Sequence, residues 1–324
     1  MRIPFLLTLT RMTPTRKETG RKYRERGSLL AAFLFACLAC ENTARISSTT
    51  ADDILDPSAS LASASATGVS GIPFGAFAQP LSVYGPTYTG GHLNPWKPEL
   101  LLASLDTIRA ARGRVVLALA GGPSAYTNAD GTFNYELWQG RIDRYKDVHF
   151  ESYIEDGTVI GIYLVDEPNC STCWGGQAIS QAMVETMAAY SKSIWPTMKT
   201  IVRATPTWLA AYSGQYVSLD AGWAQYAVRL GDINTYLANN VAAAQSKGLG
   251  LIVGLNALNG GLNQVSLTAS EIKSFGSTLL GSSYACAFIS YKYDAAYFSR
   301  SDIKSALETL SKKAKRHAAT SCLR

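Results

Sequence analysis

Histidine is the scarcest residue in this chain of 324 residues, which contains three of them: His92, His149 and His317. Catalytic metal centres draw several histidine or carboxylate ligands from neighbouring elements. Three scattered histidines therefore argue against a metal site, and we expect no cofactor. The Gly-x-Ser-x-Gly turn that presents a nucleophilic serine is absent. The glycine-rich phosphate loops of nucleotide-binding folds are absent as well.

A net positive charge is missing from most of the chain, although the formal net charge of the whole is +6. Residues 1–27 contain eight of the 30 basic and two of the 24 acidic residues, which leaves 22 of each after residue 27. A nucleic-acid partner would require a basic surface in the folded part, so we expect none. The hydrophobic fraction of 47% excludes a wholly disordered chain.

The apolar run at residues 28–40 is too short to span a membrane, which takes about 20 residues. A basic segment followed by a short apolar segment is typical of a secretory signal peptide, here residues 1–40, with Met12 as an alternative start. Cys37 and Cys40 each end a sequence that looks like a bacterial lipoprotein cleavage box. We expect an exported envelope protein with a lipid anchor in the membrane; plain secretion and an uncleaved anchor are the alternatives.

Four cysteines follow the leader, an even number that favours disulfides in an exported protein. Cys170 and Cys173 have C-x-x-C spacing, for which a local disulfide that braces a loop is the preferred interpretation. Redox catalysis would need a thioredoxin-like unit, and zinc would need a second pair or histidine ligands. The spacing does not decide whether Cys286 and Cys322 pair with each other or stay buried.

Composition and pattern divide the rest of the chain into a tether and one domain. Residues 41–70 are rich in Ser, Thr and Ala and cannot bury a core, which predicts a flexible tether. Residues 71–324 alternate short apolar runs with amphipathic stretches. Strands are predicted at residues 72–79, 114–122, 158–166, 199–205, 216–222, 249–256 and 285–293. Helices are predicted at residues 98–112, 135–156 (with a possible break), 177–194, 233–247, 270–280 and 301–317.

Alternating strands and helices predict an α/β fold with a parallel sheet. About 250 residues of this pattern fit a (β/α)8 TIM-like barrel, in which function lies at the carboxyl ends of the strands. An eighth strand is expected either at residues 207–213 or before Gly71. A doubly wound sheet is the rival, but its glycine-rich first turn is missing.

Side chains of one parity along each strand point into a barrel, and the polar ones near strand ends are candidates for the site. On this basis Glu167 follows Gly161, Tyr163 and Val165 on the inward side of its strand. A single bulge would invert such an assignment. The other polar candidates are Gln79, Arg203, Thr205, Asp220, Asn256, Ser290, Lys292 and Asp294.

The run Gly161-Ile-Tyr-Leu-Val-Asp-Glu-Pro168 resembles the end of strand four in barrel glycoside hydrolases of the large retaining clan, where an Asn-Glu-Pro triplet presents the acid/base. Residues 133–138 and 156–160 extend the resemblance. It implies hydrolysis of glycosidic bonds with Glu167 as general acid/base. Asp166 stands where the clan has the Asn that binds the 2-hydroxyl of the substrate.

The resemblance also implies a nucleophilic Glu at the end of a late strand, and this chain has none there. Asp294 is the nearest match and Asp220 the second. Either carboxylate would need to lie about 5–5.5 Å from Glu167 for retention, or about 6.5–9.5 Å for inversion.

Aromatic rings follow many of the predicted strands, and sugar C–H faces stack on such rings. They are Trp96, Trp174, Trp208, Trp223, Tyr126, Tyr212, Tyr291 and Tyr297. The candidates for carbohydrate binding are Asp166, Gln79, Arg203, Asn256, Lys292, Tyr291, Trp223, Trp208 and His92. A barrel that binds sugar without hydrolysing it, and a structural envelope lipoprotein, are the alternative functions, because no late-strand Glu is present.

Overall fold

The structure, a computed structural model, describes residues 71–319. Eight parallel strands close into a barrel in the order of the chain, with β8 paired to β1. The strands are β1 (Phe74–Phe77), β2 (Gly90–Leu93), β3 (Arg114–Leu117), β4 (Val159–Asp166), β5 (Thr200–Arg203), β6 (Ala221–Tyr226), β7 (Gly250–Leu255) and β8 (Ala285–Ser290). The predicted (β/α)8 barrel is confirmed.

Helices surround the barrel and fill most of the connections between strands. They are α1 (Leu101–Ala110), α2 (Tyr135–Asp143), α3 (Glu151–Glu155), α4 (Gln181–Ile194), α5 (Pro206–Leu209), α6 (Ile233–Lys247), α7 (Ala269–Leu279), α8 (Ala295–Phe298) and α9 (Ser301–Lys315). The long stretch predicted at residues 135–156 is broken into α2 and α3. A 3₁₀ turn at Leu81–Val83 replaces a helix between β1 and β2.

The eighth strand is β2, and both positions predicted for it are wrong. Residues 207–213 contain the end of α5 and a turn. The two glycines that begin β2 lack the β-branched side chains that make a strand recognisable. The packing nevertheless requires glycine at both positions. A Cβ on Gly90 would lie 2.5 Å from Pro73 Cβ, and one on Gly91 would lie 2.4 Å from Tyr84 Oη.

The strand predicted at residues 216–222 is also displaced, because β6 begins at Ala221. Residues before Ala221 therefore belong to the connection that enters the barrel from the amino-terminal side. Ala221 and Trp223 belong to the cluster that fills the barrel interior. This shift moves Asp220 to the opposite end of the barrel from Glu167.

Two irregularities in β4 change which of its side chains point inward. Val115 and Val116 of β3 pair with Val159 and Gly161, and a second register shift follows Tyr163. Tyr163 lies in the interior cluster as predicted, whereas Val165 packs in the cluster between the strands and the surrounding helices. The predicted parity thus holds in the middle of β4 and fails at its end.

The parity predicted for β8 is wrong. Ala287 and Ile289 fill the barrel interior, so the inward series continues to Tyr291. Ser290 points the other way and accepts a hydrogen bond from the Leu255 backbone N–H at 3.1 Å.

Residues 1–70 and 320–324 lie outside the described part. The predictions of a signal peptide, a tether and a lipid anchor at Cys37 or Cys40 fall there, as does Cys322. Cys286 is buried at the start of β8. Between residues 71 and 319 no helix is both long and apolar enough to cross a membrane.

A methyl group at Gly254 is expected to destabilise the barrel. Its Cβ would lie 2.1 Å from the Ile289 carbonyl oxygen, a backbone atom of the neighbouring strand that cannot move independently. We expect Gly254→Ala to lower the free energy of unfolding by about 1–3 kcal/mol, as measured by urea denaturation.

Gly140→Ala is the matched control, because Gly140 is exposed on α2 and a Cβ there would meet nothing within 4 Å. Alanine should stabilise the helix there by up to about 1 kcal/mol. Equal stability of the two variants would contradict the close approach of β7 and β8.

Candidate active site

Two carboxylates and one guanidinium meet at the carboxyl ends of β4 and β5, which we call the barrel mouth. Arg203 Nη1 contacts Asp166 Oδ1 and lies 3.1 Å from Glu167 Oε1. The Arg203 side chain is 10% exposed, whereas that of Glu167 is 50% exposed. The acidic pair is therefore held from beneath by a buried cation, and Glu167 remains open to solvent.

The irregular end of β4 is what allows adjacent acidic residues to reach the same cation. Tyr163 pairs with Ile201 and Asp166 with Arg203, so three steps along β4 match two steps along β5. Successive side chains of a regular strand point to opposite faces. The extra residue, together with a left-handed φ of 39° at Glu167, turns both carboxylates toward Arg203.

The backbone of Glu167 is fixed by three hydrogen bonds. Its N–H donates to the Arg203 carbonyl at 3.1 Å. Its carbonyl accepts from the Cys170 N–H at 2.9 Å and from Trp174 Nε1 at 3.0 Å. A non-glycine residue at positive φ persists when its surroundings determine its conformation, and such positions cluster at functional sites.

The loop after Glu167 is braced by a disulfide and by aromatic packing. Cys170 and Cys173 form the predicted local disulfide. Trp174 is 1% exposed and stacks on Tyr126 with ring centroids 6.0 Å apart, while Phe133 meets it edge-on at 5.9 Å. Trp174 therefore supports the backbone of Glu167, and its burial does not fit the sugar-binding role suggested by the sequence.

Aromatic rings close the bottom of the mouth. Phe77 is their centre: its ring centroid lies 3.6 Å from that of His92, 5.6 Å from Tyr163, 5.9 Å from Trp223 and 5.5 Å from Tyr291. We call these five rings the floor. Phe77 and Tyr291 are partly exposed and the other three are buried, so the floor offers mainly two ring surfaces to a ligand.

The buried floor residues include polar atoms without partners. Among residues 71–319, neither ring nitrogen of His92 has a well-aligned hydrogen-bond partner, and the Tyr163 hydroxyl has only the nearby Asp166 carboxylate to interact with. Burial, assisted by the positive charge of Arg203, lowers the pKa of His92 to about 3, so its ring is neutral. Burial, and then the nearby Asp166 charge, raises the pKa of Tyr163 well above its usual value, so its hydroxyl stays protonated. Unpaired polar groups in such surroundings are costly.

Tyr291 joins the floor to the acidic pair, because the Arg203 guanidinium carbon lies 5.0 Å from the centre of its ring. Asp166, Glu167, Arg203, His92 and Tyr291 are thus brought together at the mouth. Burial alone would lower the pKa of Arg203, but the surrounding acidic groups raise it further than burial lowers it. The cation is therefore permanent.

Three other predicted binding residues are buried or partly buried and make their contacts within the protein. Gln79 is buried and turns back so that its Oε1 accepts from the Ala76 N–H. Trp223 is 1% exposed and donates to the Ile289 carbonyl. Trp208 is partly buried on α5 and packs against the outer core.

Asn256 and Lys292 lie at the rim, beyond the ends of β7 and β8. Asn256 bridges to Tyr291 through the backbone, and its side chain accepts from the Asn259 N–H at 3.2 Å. Lys292 is exposed, with Nζ 5.9 Å from the centre of the Tyr291 ring.

Of the two proposed second carboxylates, Asp220 lies at the wrong end of the barrel and Asp294 is engaged as a helix cap. Asp220 precedes β6, is 2% exposed and pairs with Lys192 at 2.9 Å; it also accepts from the Thr200 N–H. Its assignment to the mouth is therefore wrong. Asp294 follows β8 and caps α8, accepting from the Tyr297 N–H at 2.8 Å.

Sequence reasoning did not select Gln225 or give Tyr163 a role. Gln225 shares the inward parity of Trp223, and its Oε1 is buried without a partner among the described side chains. The strand predicted at residues 216–222 ends before Gln225, so Gln225 was not considered. Alternation counted along the observed β6, from Ala221, places it on the inward side. Within residues 71–319 no three His, Cys, Asp or Glu side chains are grouped to hold a metal ion.

No protein-family model matches the chain, and no curated protein sequence matches it. Its barrel is similar to an endo-β-1,4-mannanase from Thermotoga petrophila, at a TM-score of 0.51 and 10% identity, covering 75% of this chain and 76% of that one. A double mutant of the Cellulomonas fimi endo-β-1,4-mannanase gives a TM-score of 0.52 at 14% identity, with 78% and 72% covered.

A glucosidase from Croceicoccus marinus is similar at a TM-score of 0.51 and 12% identity, covering 75% of this chain and 66% of that one. At such identities the likeness establishes the architecture alone. The structural neighbours of this chain are glycoside hydrolases built on (β/α)8 barrels.

His92 should make stability depend on pH. Its pKa falls from 6.5 to about 3 on folding, so below pH 6.5 the unfolded chain binds a proton that the folded chain excludes. The contribution of neutral His92 to the free energy of unfolding is complete above about pH 7. As the pH falls toward 3, this contribution is lost at up to about 1.4 kcal/mol per pH unit.

The comparison is urea unfolding at pH 7.5 and pH 5 for the wild type and His92→Gln, whose side chain does not titrate. The wild type should lose about 2 kcal/mol more than the variant. Equal losses would mean that His92 is not buried as a neutral ring.

Proposed function

We propose that this protein is an exported glycoside hydrolase with Glu167 as its general acid/base. The observation that carries the proposal is the placement of Glu167: its backbone is locked at the end of β4 while its carboxyl group is half exposed beside an aromatic floor. A group that exchanges a proton with a substrate must be both positioned and accessible.

The chemistry follows from what each group of the mouth can do. Phe77 and Tyr291 offer partly exposed rings on which a sugar can stack. The carboxyl group of Glu167 then donates its proton to the departing oxygen, and later accepts a proton from the attacking water. Arg203 holds the carboxyl group in place throughout.

The rim can extend the site to a longer glycan. Trp96 follows β2 and is 79% exposed, which is unusual for so large an apolar side chain. A tryptophan face at the edge of a groove suits a second sugar unit. The names of the structural neighbours direct the choice of substrates to β-1,4-mannans and glucosides.

Glu167→Gln is expected to lower turnover by about 10²–10⁴-fold, the usual contribution of a general acid or base, because glutamine keeps the shape but cannot transfer the proton. Turnover is measured on a panel of chromogenic glycosides and polysaccharides. Binding of the best substrate, measured by calorimetry, should change less than about threefold, since the remaining contacts are retained.

Glu151→Gln is the control, because Glu151 is exposed on α3, which precedes β4. Its turnover should equal that of the wild type. Unchanged turnover in Glu167→Gln would refute the acid/base assignment. Binding without turnover in the wild type would favour the non-catalytic alternative.

We also propose that the protein is held at the cell envelope by a lipid on Cys37 or Cys40. The basic segment, the short apolar run and the two candidate cleavage boxes support this. Mass spectrometry of the protein from membranes should find an N-terminal cysteine that carries diacylglycerol. A mature N-terminus beyond Cys40 would contradict the anchor.

A further inference from the structure

Among residues 71–319, few carboxylates are candidates for a nucleophile opposite Glu167. Of the described residues, the acidic ones that end a strand or follow its end by no more than four positions are Asp166, Glu167 and Asp294. Asp166 contacts the same nitrogen of Arg203 as Glu167 does, so these two carboxylates are side by side. A mechanism with two carboxylates needs them on either side of the scissile bond.

Asp294 is engaged elsewhere. Its Oδ1 caps α8 through the Tyr297 N–H, and the preceding Tyr293 N–H is tied to the Phe77 carbonyl at 3.0 Å. Releasing this carboxylate toward a sugar would leave the first turn of α8 uncapped.

We propose that the substrate itself supplies the missing nucleophile, and that the sugar in the mouth is a 2-acetamido sugar, an N-acetylhexosaminide. The inference rests on the proposed function. Hydrolysis assisted by the substrate is the known alternative to a nucleophilic carboxylate of the enzyme. It requires a carboxylate beside the acid/base to hold the amide N–H of the substrate.

Asp166 meets that requirement. It adjoins Glu167, its side chain is 30% exposed, and the contact with Arg203 uses Oδ1. Oδ2 takes no part in that contact, so it can accept from an amide N–H. Asp166 stands where the glycoside hydrolases of the large retaining clan have asparagine. The site therefore contains a negatively charged hydrogen-bond acceptor in place of a neutral amide.

The floor suits the rest of the acetamido group. The protonated Tyr163 hydroxyl lies near the Asp166 carboxylate, where it can donate to the acetamido carbonyl of a bound sugar. Phe77 and Tyr291 present partly exposed rings 5.5 Å apart, an apolar surface for the methyl group. A donor, an acceptor and an apolar patch thus lie together.

The chemistry balances without another reactant. The acetamido carbonyl oxygen attacks the anomeric carbon as the glycosidic bond breaks, and Glu167 gives its proton to the departing oxygen. The resulting oxazolinium ion carries a positive charge on its N–H, which the Asp166 carboxylate stabilises. Water then attacks the anomeric carbon, Glu167 takes its proton, and the acetamido group is restored.

The first test compares nitrophenyl N-acetylglucosaminides and N-acetylgalactosaminides with the matching glucosides and galactosides, in both anomers. We expect kcat/KM to be at least about 100-fold higher for the β-anomers of the acetamido sugars, in which the acetamido group is trans to the leaving group, than for the matching sugars without it. Replacing the acetyl group with trifluoroacetyl weakens its carbonyl as a nucleophile, and should lower kcat by about tenfold or more.

The outcomes separate the inference from the proposed function. Equal or faster hydrolysis of sugars without the acetamido group would overturn the inference and leave glycoside hydrolysis intact. No effect of fluorination would overturn it as well. Failure to hydrolyse any glycoside or polysaccharide would refute both.

The second test compares two aspartates in the same assay. Asp166→Asn should lower kcat on the acetamido substrate by about 100-fold, and should abolish stabilisation of the protein by a thiazoline analogue of the oxazolinium ion, read as a shift in Tm. If instead Asp294→Asn lost about 100-fold in kcat and Asp166→Asn remained active, Asp294 would be the nucleophile. That result would overturn the inference. Circular dichroism establishes that both variants are folded.

Discussion

The contact between Arg203 and two adjacent carboxylates is the interaction on which the barrel mouth depends. The guanidinium is largely buried at the end of β5, and a buried cation without a partner is strongly destabilising. Asp166 and Glu167 satisfy it from the neighbouring strand. Since both must reach the same nitrogen, β4 departs from regular pairing and Glu167 adopts a left-handed backbone.

This local strain is balanced by the elements around it. The carbonyl of Glu167 accepts from Cys170 and Trp174, and Trp174 is wedged between other aromatic rings. The short disulfide keeps the connecting loop close to the strand end. The result is an acidic side chain that is exposed on a rigid support, the condition that general acid/base catalysis requires.

Much of the fold was predictable because it follows from local patterns. Six of the eight strands lie within the predicted runs, since buried parallel strands are continuous apolar segments. The failures have identifiable causes. β2 begins with Gly90 and Gly91, because Pro73 and Tyr84 leave no room for a side chain at these positions. Two glycines carry no pattern by which a strand could be predicted. The displaced β6 put Asp220 at the wrong end of the barrel.

Side-chain direction was harder to predict than strand position. Tyr163 points inward as alternation requires, but Val165 does not, because a register shift intervenes. In β8 the inward series leads to Tyr291 rather than to Lys292. One extra residue inverts every later direction along a strand, and pairing with a distant strand decides where it is inserted.

The sequence by itself determined the alternating α/β architecture, the local disulfide and the Asp-Glu-Pro ending of β4, since each depends on residues that are close together along the chain. Only the tertiary structure decided which acidic groups share the mouth. It placed Arg203 beneath Asp166 and Glu167, committed Asp294 to a helix cap and removed Asp220 to the opposite end. These outcomes depend on barrel closure and strand register, which bring together residues that are far apart in the chain.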